Sequence, residues 1–164
     1  MTGGSAEAMT DVQRVAAEAF DLLDTGRQTA PFSSRLPRFD LDDAYRVTAG
    51  VRQMREAGGE TALGRKIGFT NRTIWDEYQI DAPMWGYIYD RTVHDLDDMG
   101  ETVSLAGLAE PRIEPEIIFG LAKAPSPGMD ESDLLGCIDW VAHGFEIVPW
   151  QSTHPIVIAL RVSP

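Results

Sequence analysis

The residues best suited to chemistry lie in the segment Pro111-Arg112-Ile113-Glu114-Pro115-Glu116-Ile117-Ile118-Phe119. In an extended strand, residues two apart share a face. Glu114 and Glu116 therefore point the same way with α-carbons about 6.6 Å apart, close enough for both carboxylates to close on one cation. The acidic pair stops there, because Ile117, Ile118 and Phe119 return at once to apolar side chains. Pro115 cannot donate to a ladder, which predicts an edge or irregular strand opening onto a cleft. Two glutamates on the wet side of an ordinary half-exposed strand would show the same alternation. A further carboxylate, Glu146, sits in His143-Gly144-Phe145-Glu146-Ile147-Val148, a short apolar strand where a charge is costly unless paired or bound to metal. Three glutamates with apolar neighbours suit a hard, oxygen-preferring ion, Mg or Mn, that keeps positions open for water and a bidentate ligand. Neither sulfur nor clustered imidazole lies near them to favour zinc.

Lys66, in Gly64-Arg65-Lys66-Ile67-Gly68-Phe69-Thr70, is either an edge gatekeeper or a deliberately placed cation. Facing a metal site, it would attract a substrate carboxylate or move protons, and Gly64 and Gly68 would permit a ligand's close approach. The glycines lack the spacing of a nucleotide-binding fingerprint. His143 reads as a structural histidine at a helix-strand junction, His94 beside Asp95 as a turn, and His154 lies in an uninterpretable tail. Trp75, Tyr78, Trp85, Tyr87 and Tyr89 either line an apolar pocket or simply pack, and packing is the expectation. Cys137 falls on an apolar stripe and reads as an inert small hydrophobe. Ser33, Ser34 and Ser152 have no nucleophile context.

These residues need elements to position them. Thr10 with Gln13 reads as a capping box for an amphipathic helix whose buried stripe is Val12, Val15, Ala16, Ala19, Phe20 and Leu23, ending at Gly26. Asp42 is expected to cap a second helix with the stripe Ala44, Val47, Thr48, Val51 and Met54, stopped by Gly58-Gly59. Strands are expected at Ala62 to Thr70, Trp85 to Tyr89, Thr102 to Leu105 and Arg112 to Leu121, with one or two helical turns over Thr73 to Tyr78. A third helix is expected near Ser132 to Ala142, then a strand over His143 to Val148. Ile156 to Leu160 is a candidate apolar strand that would be an aggregation hazard if left unpaired. Helices followed by several strands predict an α+β chain rather than regular parallel units. The expected organisation is a helical N-terminal region (1–60), a β-rich metal-binding portion (61–148) and a divergent tail (149–164).

Fourteen Lys and Arg against twenty-six Asp and Glu leave a net charge of −12, which repels a phosphate backbone and argues against nucleic acid as a partner. An anionic substrate must then find a local cation, metal or side chain. A single cysteine rules out an intrachain disulfide framework. No run of about eighteen apolar residues predicts a membrane span, and the first nine residues lack the pattern of a secretory signal. The expected setting is the cytoplasm.

Gly64 to Asn71, Ala82 to Asp90 with its Gly86-Tyr87-Ile88-Tyr89, Pro111 to Phe119 and Gly144 to Val148 resemble, in that order, the 2-keto-4-pentenoate hydratase group of the fumarylacetoacetate hydrolase superfamily. The chain is also similar to 2-oxo-hept-3-ene-dioate hydratase and 4-oxalocrotonate decarboxylase. The resemblance runs from about Val12 to Val148. It implies N-terminal helices followed by a mixed β-rich roll of the superfamily type, incomplete here because the family continues through more strands after Val148. It implies metal ligation by Glu114, Glu116 and Glu146, with Lys66 as the active-site lysine and Lys66 and Glu114 as catalytic residues. The implied activity is a Mg- or Mn-dependent lyase that adds water to a 2-hydroxy-2,4-dienoate to give a 4-hydroxy-2-oxo acid, as in aromatic compound catabolism. The alternatives are decarboxylation of a 2-oxo-3-enedioate and an inactive, truncated paralog that binds a full-length partner. The implied partners are a small 2-oxo or 2-hydroxy-enoic acid and other protein copies, as a homo-oligomer or with a paralog.

Overall fold

The protein is seen in a computed structural model that describes residues 3–25, 27–99, 102–106, 108, 110–148 and 156–161. It forms two compact units, one from the described residues through Arg91 and one from Thr92 onward.

The first unit begins with helix α1, Gly3–Thr25, followed by a single turn α2, Phe32–Arg35, and helix α3, Leu41–Ala57. The helix α1 starts well before Thr10, so the expected capping box lies inside the helix. The preceding Ala6-Glu7-Ala8-Met9 are good helix formers and contain nothing to stop it. The cap of α3 is Asp40, not Asp42: its carboxylate accepts the Asp43 amide hydrogen bond at 2.9 Å. At the other end Gly58 and Gly59 donate to the Met54 and Glu56 carbonyls, and Gly59 takes the left-handed conformation that the stop requires. Val15 and Ala16 of α1 pack on Val47 and Val51 of α3 as the buried core of this unit, with Val12, Phe20, Leu23 and Met54 around them. The helices approach closely because Gly50 faces Ala16, where a Cβ would come to 2.8 Å of the alanine methyl.

Strands β1, Ala62–Gly68, and β2, Met84–Tyr89, form an antiparallel hairpin linked by a 3-10 turn at Arg72–Ile74 and the short helix α4, Trp75–Tyr78. The hairpin is closed at its open end by Asp90, which exchanges backbone and side-chain hydrogen bonds with Thr61.

The second unit holds β3 (Val93–Asp95), the turn α5 (Leu96–Met99), β4 (Arg112–Leu121), the short helix α6 (Glu131–Leu135), β5 (Ile138–Val148) and β6 (Ile156–Arg161). Its sheet has the order β3-β6-β5-β4, with β3 parallel to β6 and the other pairs antiparallel. The whole is an α+β fold with N-terminal helices followed by mixed sheet. As Pro115 predicts, β4 is an edge strand. The apolar segment at Ile156 is paired on both sides.

Two expectations are corrected. The Thr102 to Leu105 segment is irregular, and the extra strand is instead Val93–Asp95, which contains His94 and gains its place by pairing with β6. The third helix is only Glu131–Leu135, capped by Asp130 and ended at Gly136. From Ile138 onward the chain is strand: Trp140, Ala142 and Gly144 alternate along one face, and pairing with β4 over the length of that strand outweighs the weak 3-4 spacing of Ile138 and Val141.

Candidate metal centre

Pairing of β4 with β5 builds the acidic cluster. Glu114 lies directly opposite Glu146, and Glu116 lies opposite Gly144, so three carboxylates occupy three corners of a cross-strand quadrilateral. The fourth corner, Gly144, is buried and brings no side chain. Each glutamate offers one carboxylate oxygen, and these oxygens all lie within 4.8 Å of one another. Burial is graded across the site: Glu114 is exposed, Glu116 half-buried and Glu146 only 1% exposed. The set can coordinate a divalent metal. It is built of oxygens alone, it can surround one hard ion, and its like charges would otherwise repel at short range.

The face that carries the glutamates continues along β4 through Ile118 to Gly120. There the indole of Trp140 lies against the glycine, so that a Cβ would fall 1.9 Å from the ring. The opposite face is apolar and open. Ile113, Ile117 and Phe119 of β4 and Val141 and Phe145 of β5 are all exposed, Ile117 at 64%. His143 pairs with Ile117 on that second face, away from the carboxylates, and is exposed.

Lys66 belongs to the other unit, on β1 directly opposite Gly86 of β2, and is half-buried. The hairpin has two unlike faces. On one, Trp85 stacks on Tyr45 at 5.0 Å, Arg65 lies over Trp85, Arg52 over Tyr87 and Arg55 over Tyr89. Trp85, Tyr87 and Tyr89 pack against side chains of the same unit. Lys66 lies on the other face, between Gly64 and Gly68. Past Gly68 the chain turns sharply through Phe69, whose left-handed backbone (φ 56°) is fixed by a 2.8 Å hydrogen bond from the Trp75 indole to its carbonyl and by the edge of Tyr78.

Cys137 is fully buried and donates to the Asp133 carbonyl, a packing role. Ser34 donates to the Pro31 carbonyl in the α2 turn. His154 and Ser152 lie outside the described residues.

The unanticipated residue is Arg55. It is 4% exposed, forms a 2.6 Å ion pair with Glu60 and covers Tyr89 at 3.9 Å from the ring centre. A signal was present: position 55 continues the Val47, Val51 spacing into the core, so a charge there needs a partner.

No family model matches the chain. It is 33% identical over 144 residues to 2-hydroxyhexa-2,4-dienoate hydratase of Comamonas testosteroni, covering 85% of this chain and 54% of that protein. It is 31% identical over 114 residues to 4-oxalocrotonate decarboxylase of a Pseudomonas strain, covering 68% of this chain and 44% of the relative. The chain belongs to the 2-keto-4-pentenoate hydratase and 4-oxalocrotonate decarboxylase group of the fumarylacetoacetate hydrolase superfamily. The group's fold is shared as well. The solved structure of 4-oxalocrotonate decarboxylase from Pseudomonas putida, complexed with calcium and acetate, superposes with a TM-score of 0.82 at 22% identity, over 92% of this chain and 62% of that one. The chain thus spans about half the length of the curated group members it matches. Among the described residues, no helix is long and apolar enough to cross a membrane.

Proposed function

We propose that this chain carries the metal-binding part of a lyase that adds water to a 2-hydroxy-2,4-dienoate, giving a 4-hydroxy-2-oxo acid. The observation that carries the reading is the convergence of Glu114, Glu116 and Glu146 from two paired strands. These three residues would hold Mg or Mn. When bound, the ion would supply Lewis acidity toward the substrate's carboxylate and 2-oxygen. The residues around it then divide the remaining work. Glu146, buried, and Glu116, half-buried, fix the anchoring side of the site. Glu114, exposed, is the carboxylate that solvent reaches; it takes a proton from the attacking water as the C4–O bond forms and the C3–C4 π bond breaks, and returns that proton to C3. Lys66, as the ammonium, compensates substrate charge in a strongly acidic chain; during ketonisation it gives a proton to C5 and is restored by the proton that leaves the 2-hydroxyl.

The hydratase relative supports this reaction. A second reading, decarboxylation of a 2-oxo-3-enedioate, is favoured by the decarboxylase relative, because the same charge stabilisation serves loss of carbon dioxide. The exposed apolar face of β4 and β5 supports association with another copy or with a full-length paralog, for which an inactive partner role is the third reading. A cytoplasmic setting agrees with the one buried, free cysteine.

The deciding experiment incubates the protein with Mn or Mg and either 2-hydroxypenta-2,4-dienoate or 2-oxohex-3-enedioate. Loss of dienoate absorbance with formation of the 4-hydroxy-2-oxo acid supports the hydratase, and carbon dioxide release supports the decarboxylase. Neither reaction, with no divalent ion bound in calorimetry, would remove the enzymatic reading.

A further inference from the structure

The two faces of the β4–β5 pair differ in charge. One carries the three glutamates. On the other, β4 presents Ile113, Ile117 and Phe119, and β5 presents Phe145, His143 and Val141 across the ladder, with no Asp, Glu, Lys or Arg between them. The five apolar side chains of that set are 39% to 64% exposed. At roughly 150–200 Å² for a whole side chain of this kind, they open roughly 400–550 Å² of apolar surface on one face of two adjacent strands. That is near the upper end of what a soluble monomer leaves in water, about 300–600 Å². It also matches the apolar share of a standard two-fold interface, about 65% of some 800 Å² per partner. A charged partner would gain nothing from this face, because it offers no ion to pair. A second copy brings an equal apolar area, equally free of charge, at the same concentration, and a two-fold axis sets the same patch on both sides of the contact. We infer that two copies of this chain pack these faces together, sheet on sheet, with Ile117 and His143 in the middle of the contact. The glutamates lie on the other face of the same strands, so the metal centre of each copy stays outside it. The inference rests on the association reading given above, which it narrows to a second copy, and not on the lyase reading.

Sedimentation equilibrium of the whole chain at concentrations up to about 100 μM should give a mass twice that of one chain, because interfaces of this area reach micromolar affinity or better. Ile117→Glu should weaken the dimer about a hundredfold or more, since its charge would be buried without a partner between apolar faces. Ile117→Ser should weaken it about tenfold or more through lost apolar area alone. Diluted to single chains, both variants should melt close to wild type, because Ile117 is exposed in one chain. Added salt should tighten the dimer, since each copy carries a charge of −12 and the contact holds no ion pair. Diethyl pyrocarbonate should modify His143 more slowly as the dimer forms, while His94, on β3, keeps its rate. Calorimetry should give Ile117→Glu the Mn affinity of wild type.

A single-chain mass over the whole range would overturn the inference. Capture of a full-length hydratase of the group by that single chain, lost in Ile117→Glu, would give the face to that partner instead. A dimer that survives Ile117→Glu, that leaves His143 at its single-chain rate or that salt loosens is held by another surface, and overturns the inference as well. A lower melting temperature in both diluted variants would show that the face is already covered within one chain, with the same consequence. Wild-type dimer that binds no Mn would keep this inference and remove the lyase reading.

Discussion

Each unit of the molecule buries one charged side chain among its described residues, Arg55 in the helical unit and Glu146 in the sheet, and the two are treated in opposite ways. Arg55 is surrounded by what a guanidinium wants. Glu60 takes two of its N–H groups, at 3.0 and 2.6 Å, and the ring of Tyr89 lies beneath it. Glu146 is placed instead beside two more carboxylates. One arrangement lowers the energy of the folded chain. The other gathers three acidic side chains where one hard cation would fit, so dependence on a divalent ion should separate the two places.

The largest effect is expected at Arg55. Replacing it by Ala strands Glu60 in a mostly buried position and removes the cover from Tyr89, so urea unfolding should show a loss of about 3–5 kcal/mol. Arg55→Lys should recover only part of this, since an ammonium cannot match the planar fork. A loss below about 1 kcal/mol would mean that this pair behaves like a surface ion pair, and the contrast with Glu146 would fail.

Metal binding comes next. Mn at one hundred times its dissociation constant should raise the unfolding free energy of the wild-type protein by about 2.7 kcal/mol. Glu146→Gln should abolish most of that gain, weakening Mn binding by about a hundredfold or more, a ligand being expected to matter at least as much as the groups that support it. With a chelator present, the variant and wild type should differ much less than they do with Mn, because that part of the gain belongs to the ion. A chelated variant markedly less stable than wild type would show that Glu146 serves the fold, as Arg55 does.

How far these two places were legible in the sequence differs for a physical reason. The glutamates were readable because strand geometry is local: a spacing of two puts Glu114 and Glu116 on one face without knowledge of the rest, and a lone charge within Phe145–Ile147 stands out. Arg55 is less legible because its environment is assembled from Glu60, beyond the helix stop, and Tyr89, on β2. The strand at Ile138 is hidden from its own sequence for the same reason. Its conformation is decided by ladder partners on β4, distant in sequence, whereas Leu134 to Val141 by themselves satisfy a helical spacing. Helices α1 and α3, whose stripes are self-contained, needed correction only at their caps.

A smaller effect should separate packing from charge within the sheet. Gly120 carries the Trp140 ring, so Gly120→Ala should cost about 1–3 kcal/mol through overpacking, measured by chemical denaturation. Mn affinity should change little, since the glutamates lie two and three side-chain positions away along the same face of β4. A large loss of affinity with stability unchanged would instead make Trp140 part of the metal site.

The smallest effect returns to the helical unit and concerns alkaline pH. Burial pushes the Tyr89 phenol above its ordinary value, and the nearby guanidinium groups of Arg55 and Arg52 only partly offset this. The folded chain therefore holds that proton more tightly than the unfolded chain does. Its contribution to stability is complete below the ordinary tyrosine value, about 10, and is lost as pH rises from there through the higher folded value. Tyr89→Phe removes the titration while keeping the ring under Arg55, so its unfolding free energy should fall less steeply than that of wild type above pH 10 or so. Equal slopes in Tyr89→Phe and wild type would place the phenol in water, and the aromatic floor of the Arg55 site with it.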